Sequence, residues 1–147
     1  MQLSSHFTLE SMVASPIAAR RGIDNTPSSL VVAQLTATCA QMEKVRALLG
    51  NKPIYVSSGY RCAELNLAVG GAPTSAHVSG NAVDFTCPDF GTPFEVATFL
   101  ASTDLRFDQL IYEYVDWVHL SFDARLRNQR LTIINGSQGY LADIVQG

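Results

Sequence analysis

Within Ser75-Ala76-His77-Val78-Ser79-Gly80-Asn81-Ala82-Val83-Asp84-Phe85, an imidazole at His77 and a carboxylate at Asp84 stand seven residues apart with a glycine bend between them. Both groups are good zinc ligands. His119 is the candidate for a third, because it sits in an otherwise apolar run, Trp117-Val118-His119-Leu120. Taken singly, each histidine reads first as a core residue donating to a carbonyl, and Asp84 could be a buried turn acceptor. Taken together, two His and one Asp on adjacent strands make a three-ligand site with one position open for water, the catalytic rather than the structural zinc pattern.

Such a site needs a base for the water. Asp116 stands three residues before His119, at the end of a hairpin turn, and is the first candidate. Glu113, three residues further back on the other arm, is the second, read as an exposed strand position or a partner of the ligands. The negative charge of a tetrahedral intermediate asks for a fixed donor. Arg61, just past Gly59, is the best placed cation, and its planar fork suits a carboxylate or an oxyanion. Ser75 and Asn66 are candidate substrate-binding groups; Ser75 could equally cap its own loop.

The elements that position these residues follow from capping signals and periodicity. Thr8 caps a short helix beginning at Leu9, and residues 18–25 read as loop. Thr26-Pro27 starts a long helix, an N-cap followed by proline at the first helical position. Val31, Leu35, Thr38, Met42, Val45 and Leu49 make one face of it, and Gly50 ends it. Ile54 to Ser58 reads as a strand, Ala63 to Val69 as a two-turn helix stopped by Gly70-Gly71, and Ala82 to Cys87 as the strand carrying Asp84. Thr92-Pro93-Phe94-Glu95 is a capping box. Asp108 to Tyr114 and Trp117 to Phe122 are strands joined by a tight hairpin through Val115-Asp116, and Leu131 to Ile134 adds an edge strand. The order predicts an α+β domain with a small antiparallel sheet and helices to one side, spanning 1–147 as one unit.

Composition excludes several partners. Net charge is −3 and the only adjacent basic pair is Arg20-Arg21, which disfavours nucleic acid. There is no 18-residue apolar run for a membrane span. Met1 to Phe7 lacks a signal peptide's charged and apolar regions, so a cytoplasmic start is expected. Cys39, Cys62 and Cys87 are odd in number, form no CxxC pair, and are expected to be reduced and semi-buried.

At these residues the chain resembles the M15 metallopeptidases, zinc D-Ala-D-Ala carboxypeptidases and the L-alanyl-D-glutamate endopeptidases of phage endolysins. The pattern S-x-H-x-x-G-x-A-x-D falls on Ser75, His77, Gly80, Ala82 and Asp84, the acidic-x-x-His element on Asp116 to His119, and Ser-Gly-Tyr-Arg on Ser58 to Arg61. The segment from Ser5 through Asn25 is also similar to small single-domain phage members. The resemblance implies zinc on His77, Asp84 and His119, with Asp116 as base and Arg61 orienting substrate and stabilising the oxyanion. It further implies a hedgehog/DD-peptidase-like fold and a monomer acting on the peptidoglycan stem peptide. The expected setting is a phage endolysin held in the host cytoplasm until release to the periplasm and wall. Some carboxypeptidase members carry His-x-His where this chain has Trp117-Val118-His119, which separates it from their substrate assignment. Two other readings stand beside this one: a non-catalytic zinc-containing module that binds peptidoglycan or belongs to a phage particle, and a metal-free interaction domain.

Overall fold

The computed structural model describes residues 1–136 and 139–146. Its elements are α1 (Leu9–Val13), α2 (Pro16–Arg21), α3 (Ser29–Leu48), β1 (Tyr55–Ser58), α4 (Ala63–Ala68), β2 (Ala82–Thr86), α5 (Pro93–Ala101), β3 (Gln109–Glu113), β4 (Trp117–Ser121), β5 (Gln129–Ile133) and β6 (Leu141–Ala142). The fold is mixed α+β around a six-stranded sheet ordered β1-β2-β4-β3-β5-β6. Neighbouring strands are antiparallel except β3 and β5, which run parallel. The expected edge strand therefore forms inside the sheet, because β6 covers it on the outside. The sheet is not wholly antiparallel, since β5 returns in the direction of β3.

Capping chemistry sets the helix ends, in two places differently from the sequence reading. The Ser15 side chain accepts from Ala18 N–H and Pro16 takes the first helical turn, so α2 occupies part of the expected loop. Ser28, not Thr26, caps α3 through Val31 N–H. Thr26 N–H is instead drawn to Asp24 Oδ1 at 3.0 Å, a side-chain turn that ends before the helix begins. At the far end Gly50 N–H reaches Ala47 O and Asn51 N–H reaches Arg46 O, with Gly50 left-handed at φ +76°, a Schellman stop. Thr92 and Glu95 close their capping box at α5.

The two faces of the sheet separate cleanly. Leu110, Tyr112, Val118, Leu120, Val83 and Phe85 point into one apolar core against Leu35, Cys39, Met42 and Val45 of α3 and Val96, Ala97 and Leu100 of α5. All three cysteines are free, and burial pushes the Cys39 thiol up to about 12. Because side chains alternate along a strand, the cross-strand pairs Asp84–His119, Ile111–His119 and Glu113–Trp117 all lie on the opposite face.

The β3–β4 hairpin is one residue longer than a two-residue loop at Val115-Asp116. Glu113 pairs with Trp117, Asp116 N–H donates to Glu113 O at 3.1 Å, and Tyr114 and Val115 both take positive φ. A two-residue loop there would pair Tyr114 with Trp117 and turn Glu113 to the core face; the observed register turns it to the face of His119.

Candidate active site

Asp84 and His119 face each other because β2 and β4 pair at that rung. His119 Nδ1 lies 2.9 Å from Asp84 Oδ1. His77 arrives from the turn before β2. That turn is closed by Val78 N–H to Ser75 O and Asn81 N–H to Ala76 O, and it passes through Gly80 at φ +79°. The buried Thr38 hydroxyl on α3 donates to Gly80 O at 2.7 Å, which explains a threonine in the helix's apolar stripe and fixes the turn from below. His77 Nε2 then lies 3.2 Å from the same Asp84 Oδ1.

The second imidazole nitrogen settles what these groups suit. His77 Nδ1 is 2.6 Å from the Gly59 carbonyl, an acceptor only, so it carries the proton there. Burial pushes the His77 pKa down, favouring the neutral ring, whose Nε2 then presents a lone pair to a carboxylate oxygen. Two acceptors turned on each other at that distance want a cation between them. One ligand atom from each of His77, Asp84 and His119 lies within 4.8 Å of the others, and all three residues are buried. The donor set, two imidazoles and one carboxylate with a backbone carbonyl orienting His77, fits zinc. Burial works against the Asp84 carboxylate, but His77 and His119 outweigh it and hold the carboxyl well below the usual carboxylate range. At His119 burial is likewise overcome, and the Asp84 hydrogen bond raises the pKa.

Gly59 is glycine for a steric reason. A Cβ there would stand 2.3 Å from Met12 O, so the α1 backbone packs directly on the residue that orients His77. A bulge at Ser57 shifts the β1 register between Val56 and Ser58 and turns the chain out of the sheet toward this position.

A cavity of about 980 Å³ opens over the three residues, lined among others by Arg61, Ser75, Glu113, Tyr114, Trp117 and Tyr140. Arg61 has no carboxylate within ion-pair distance among the described residues; Nη2 contacts Ser75 Oγ at 3.4 Å, and Nε is buried with no partner. Ser75 Oγ also accepts from His77 N–H. Asn66 is not brought to the cavity: it is buried at 3% exposure and its amide donates to Ala72 O, pinning the loop after α4. Asp116 does not reach the cavity either; it is exposed in the turn. Glu113 does reach it. Trp117 Nε1 donates to Glu113 Oε1 at 2.7 Å, holding one oxygen, and burial pushes the carboxyl pKa up. Strand parity was the signal for Glu113: it shares a face with His119 once the hairpin register is known.

The description Peptidase M15 belongs to a family model that matches residues 5–121. The chain belongs to the M15 peptidase family. It is therefore a metallopeptidase, a hydrolase, and as an M15 member one that acts on peptidoglycan. No curated protein matches it. The match contains every residue of the His-Asp-His cluster together with Arg61, Ser75 and Glu113, and it ends at the last residue of β4. Tyr140 and strands β5 and β6 lie outside the matched span, so one wall of this M15 cavity is built by a segment beyond it.

Proposed function

We propose that this M15 member is a zinc-dependent murein peptidase that cuts the D-residue-containing stem peptide, at D-Ala-D-Ala or L-Ala-D-Glu. The setting we assign is host lysis by a phage endolysin, released from the host cytoplasm to the wall, with a hedgehog/DD-peptidase-like fold acting as a monomer. The observation that carries the reading is the placement of Glu113 and Arg61 around the His77–Asp84–His119 cluster in one cavity.

His77 Nε2, Asp84 Oδ1 and His119 Nδ1 would hold zinc, which supplies Lewis acidity and lowers the pKa of a water in its open position. Glu113, not Asp116, is the base in this reading. Its other oxygen, Oε2, accepts a proton from the attacking water, while Trp117 keeps Oε1 fixed. The raised pKa of the desolvated carboxyl brings it nearer the working pH and lets it return the proton to the leaving amine. Arg61 carries a permanent charge, its Nε has no partner among the described residues, and it meets the negative charge that grows on the carbonyl oxygen or a substrate carboxylate. Ser75 steadies Arg61 and the start of the His77 turn.

The test is zinc content together with turbidity loss of purified sacculi for wild type, Glu113→Gln and Asp116→Ala. One zinc per chain in all three is expected, with hydrolysis lost only in Glu113→Gln. Protein that binds no zinc ends the reading. Zinc without hydrolysis in wild type leaves a binding module, and an active Glu113→Gln beside a dead Asp116→Ala restores Asp116. The masses of the released fragments assign the bond.

A further inference from the structure

The segment that carries Arg61 has no regular structure of its own. β1 ends at Ser58 and α4 begins at Ala63, so residues 59–62 lie between them with no strand or helix ladder. Asn25, in the loop between α2 and α3, bonds to this segment on both sides of Arg61. Asn25 Nδ2 donates to Tyr60 O at 3.0 Å and to Val13 O at 2.9 Å, and Oδ1 accepts from Cys62 N–H at 2.8 Å. Every one of these bonds suits an amide: two partners are carbonyls, which need two N–H donors, and the third is an N–H, which needs an acceptor. A carboxylate at this position would turn an oxygen on the carbonyls.

Arg61 depends on that frame more than most arginines. Among the described residues its side chain has one long contact, to Ser75, and no ion pair to fix it. The direction of the guanidinium is therefore inherited from the backbone at Tyr60, Arg61 and Cys62. We propose that Asn25 is a positioning residue for Arg61, holding the backbone on either side so that the guanidinium stays over the reacting bond. This rests on the reading of Arg61 given under Proposed function. The His77 side is held separately, by Tyr60 N–H to Met12 O at 2.7 Å, Arg61 N–H to His77 O at 3.1 Å and the Gly59 carbonyl. Loss of Asn25 should thus disturb Arg61 while the metal ligands keep their places.

The experiment is a double-mutant cycle with Asn25→Ala and Arg61→Ala, measuring kcat/KM on a soluble murein stem pentapeptide, zinc per chain and cooperative thermal unfolding. Asn25→Ala is expected to lower kcat/KM by about 10-fold or more while zinc stays at one per chain. In the Arg61→Ala background the same change should cost less than about 3-fold, because the group it positions is gone. An equal loss in both backgrounds overturns the proposal, as does an Asn25→Ala enzyme within about 2-fold of wild type. If Arg61→Ala alone is fully active, the Arg61 reading fails first, and any loss in Asn25→Ala then acts by another route. Should Asn25→Ala lose zinc or cooperative unfolding, Asn25→Ser runs the same cycle under the same criteria.

Discussion

One set of strands serves two purposes on its two faces. On the α3 side, Leu110, Leu120, Val83 and Phe85 are fully buried and have no polar atoms to satisfy. On the other side, one or three residues away along the same strands, stand Asp84, His119, Glu113 and Trp117. The apolar face gains from burial at roughly 25 cal/mol per Å². The polar face does the reverse: it gathers two carboxyls and two imidazoles where water is scarce, an arrangement that costs stability without a cation. The first face holds the register and the second uses it. A functional site can be this polar because a rigid apolar face lies one side chain's thickness behind it.

Substitutions can test whether the faces are separable. The largest effect belongs to the site face. Glu113→Gln should lower kcat by about 100-fold to 10,000-fold, the usual contribution of a general base. Its thermal midpoint should equal or exceed that of wild type, because a half-buried acid with a raised pKa is replaced by an amide of the same shape. A drop in stability equal to a core truncation would show that the faces are not independent. Asp84→Ala sharpens the same point: zinc binding should fall steeply, read by metal content after dialysis, while the far-UV spectrum is kept.

The opposite pattern is expected on the core face. Leu120→Ala removes a fully buried side chain on β4, next to His119 in sequence but turned away from it. It should cost about 2–5 kcal/mol in denaturant unfolding. Below its new melting point it should keep zinc and most of kcat. A Leu120→Ala enzyme that is folded but inactive would mean that ligand geometry depends on core packing more finely than the two-face division allows.

At the rim of the sheet an ion pair gives a smaller, pH-dependent effect. Asp108 is 1% exposed and receives Arg127 Nε at 2.8 Å and Nη2 at 2.9 Å. The Arg127 hydrogen bonds hold its carboxyl down, from an ordinary 3.8 to about 2. A folded-state pKa depressed in this way contributes stability above the unfolded value, and the contribution disappears as pH falls through the folded one. About 1–2 kcal/mol should therefore be lost between roughly pH 4 and pH 2, allowing for the partial exposure of Arg127. Unfolding of Asp108→Asn across that range should lack this component.

The contrast between faces also explains what could be read from the chain. His77, Asp84 and His119 were legible because polar ligands interrupt apolar runs, and the three meet in the structure within 4.8 Å. The α3 stripe was legible because a 3.6-residue period repeats along it, and Leu35, Met42 and Val45 are indeed buried. Its start was not, because Ser15-Pro16 and Thr26-Pro27 carry the same cap-and-proline signature and only the first opens a helix. Asn66 was a polar residue between two leucines of α4, and nothing local distinguishes a loop pin from a substrate ligand. The sequence alone does not separate Glu113 from Asp116, because the choice turns on hairpin register, and the turn lacks the glycine or asparagine that would mark it.

That unmarked turn supplies the smallest effect. Val115 is β-branched, about half exposed, and sits at φ +67°, where glycine or asparagine is preferred. Val115→Gly relieves the left-handed penalty of about 1–2 kcal/mol and adds back part of it as unfolded-chain entropy, leaving a gain of about 0.5 kcal/mol. The denaturation midpoint should rise slightly with kcat unchanged, because the Glu113–Trp117 rung and the Asp116 N–H to Glu113 O bond still set the register. Tyr114, also at positive φ, is the poorer place to ask, since its ring packs on Trp117 at 5.3 Å and a substitution there changes both strain and stacking. If Val115→Gly instead lowers kcat while raising stability, strain in the turn is part of what aims Glu113, and the polar face draws on more than the strands behind it.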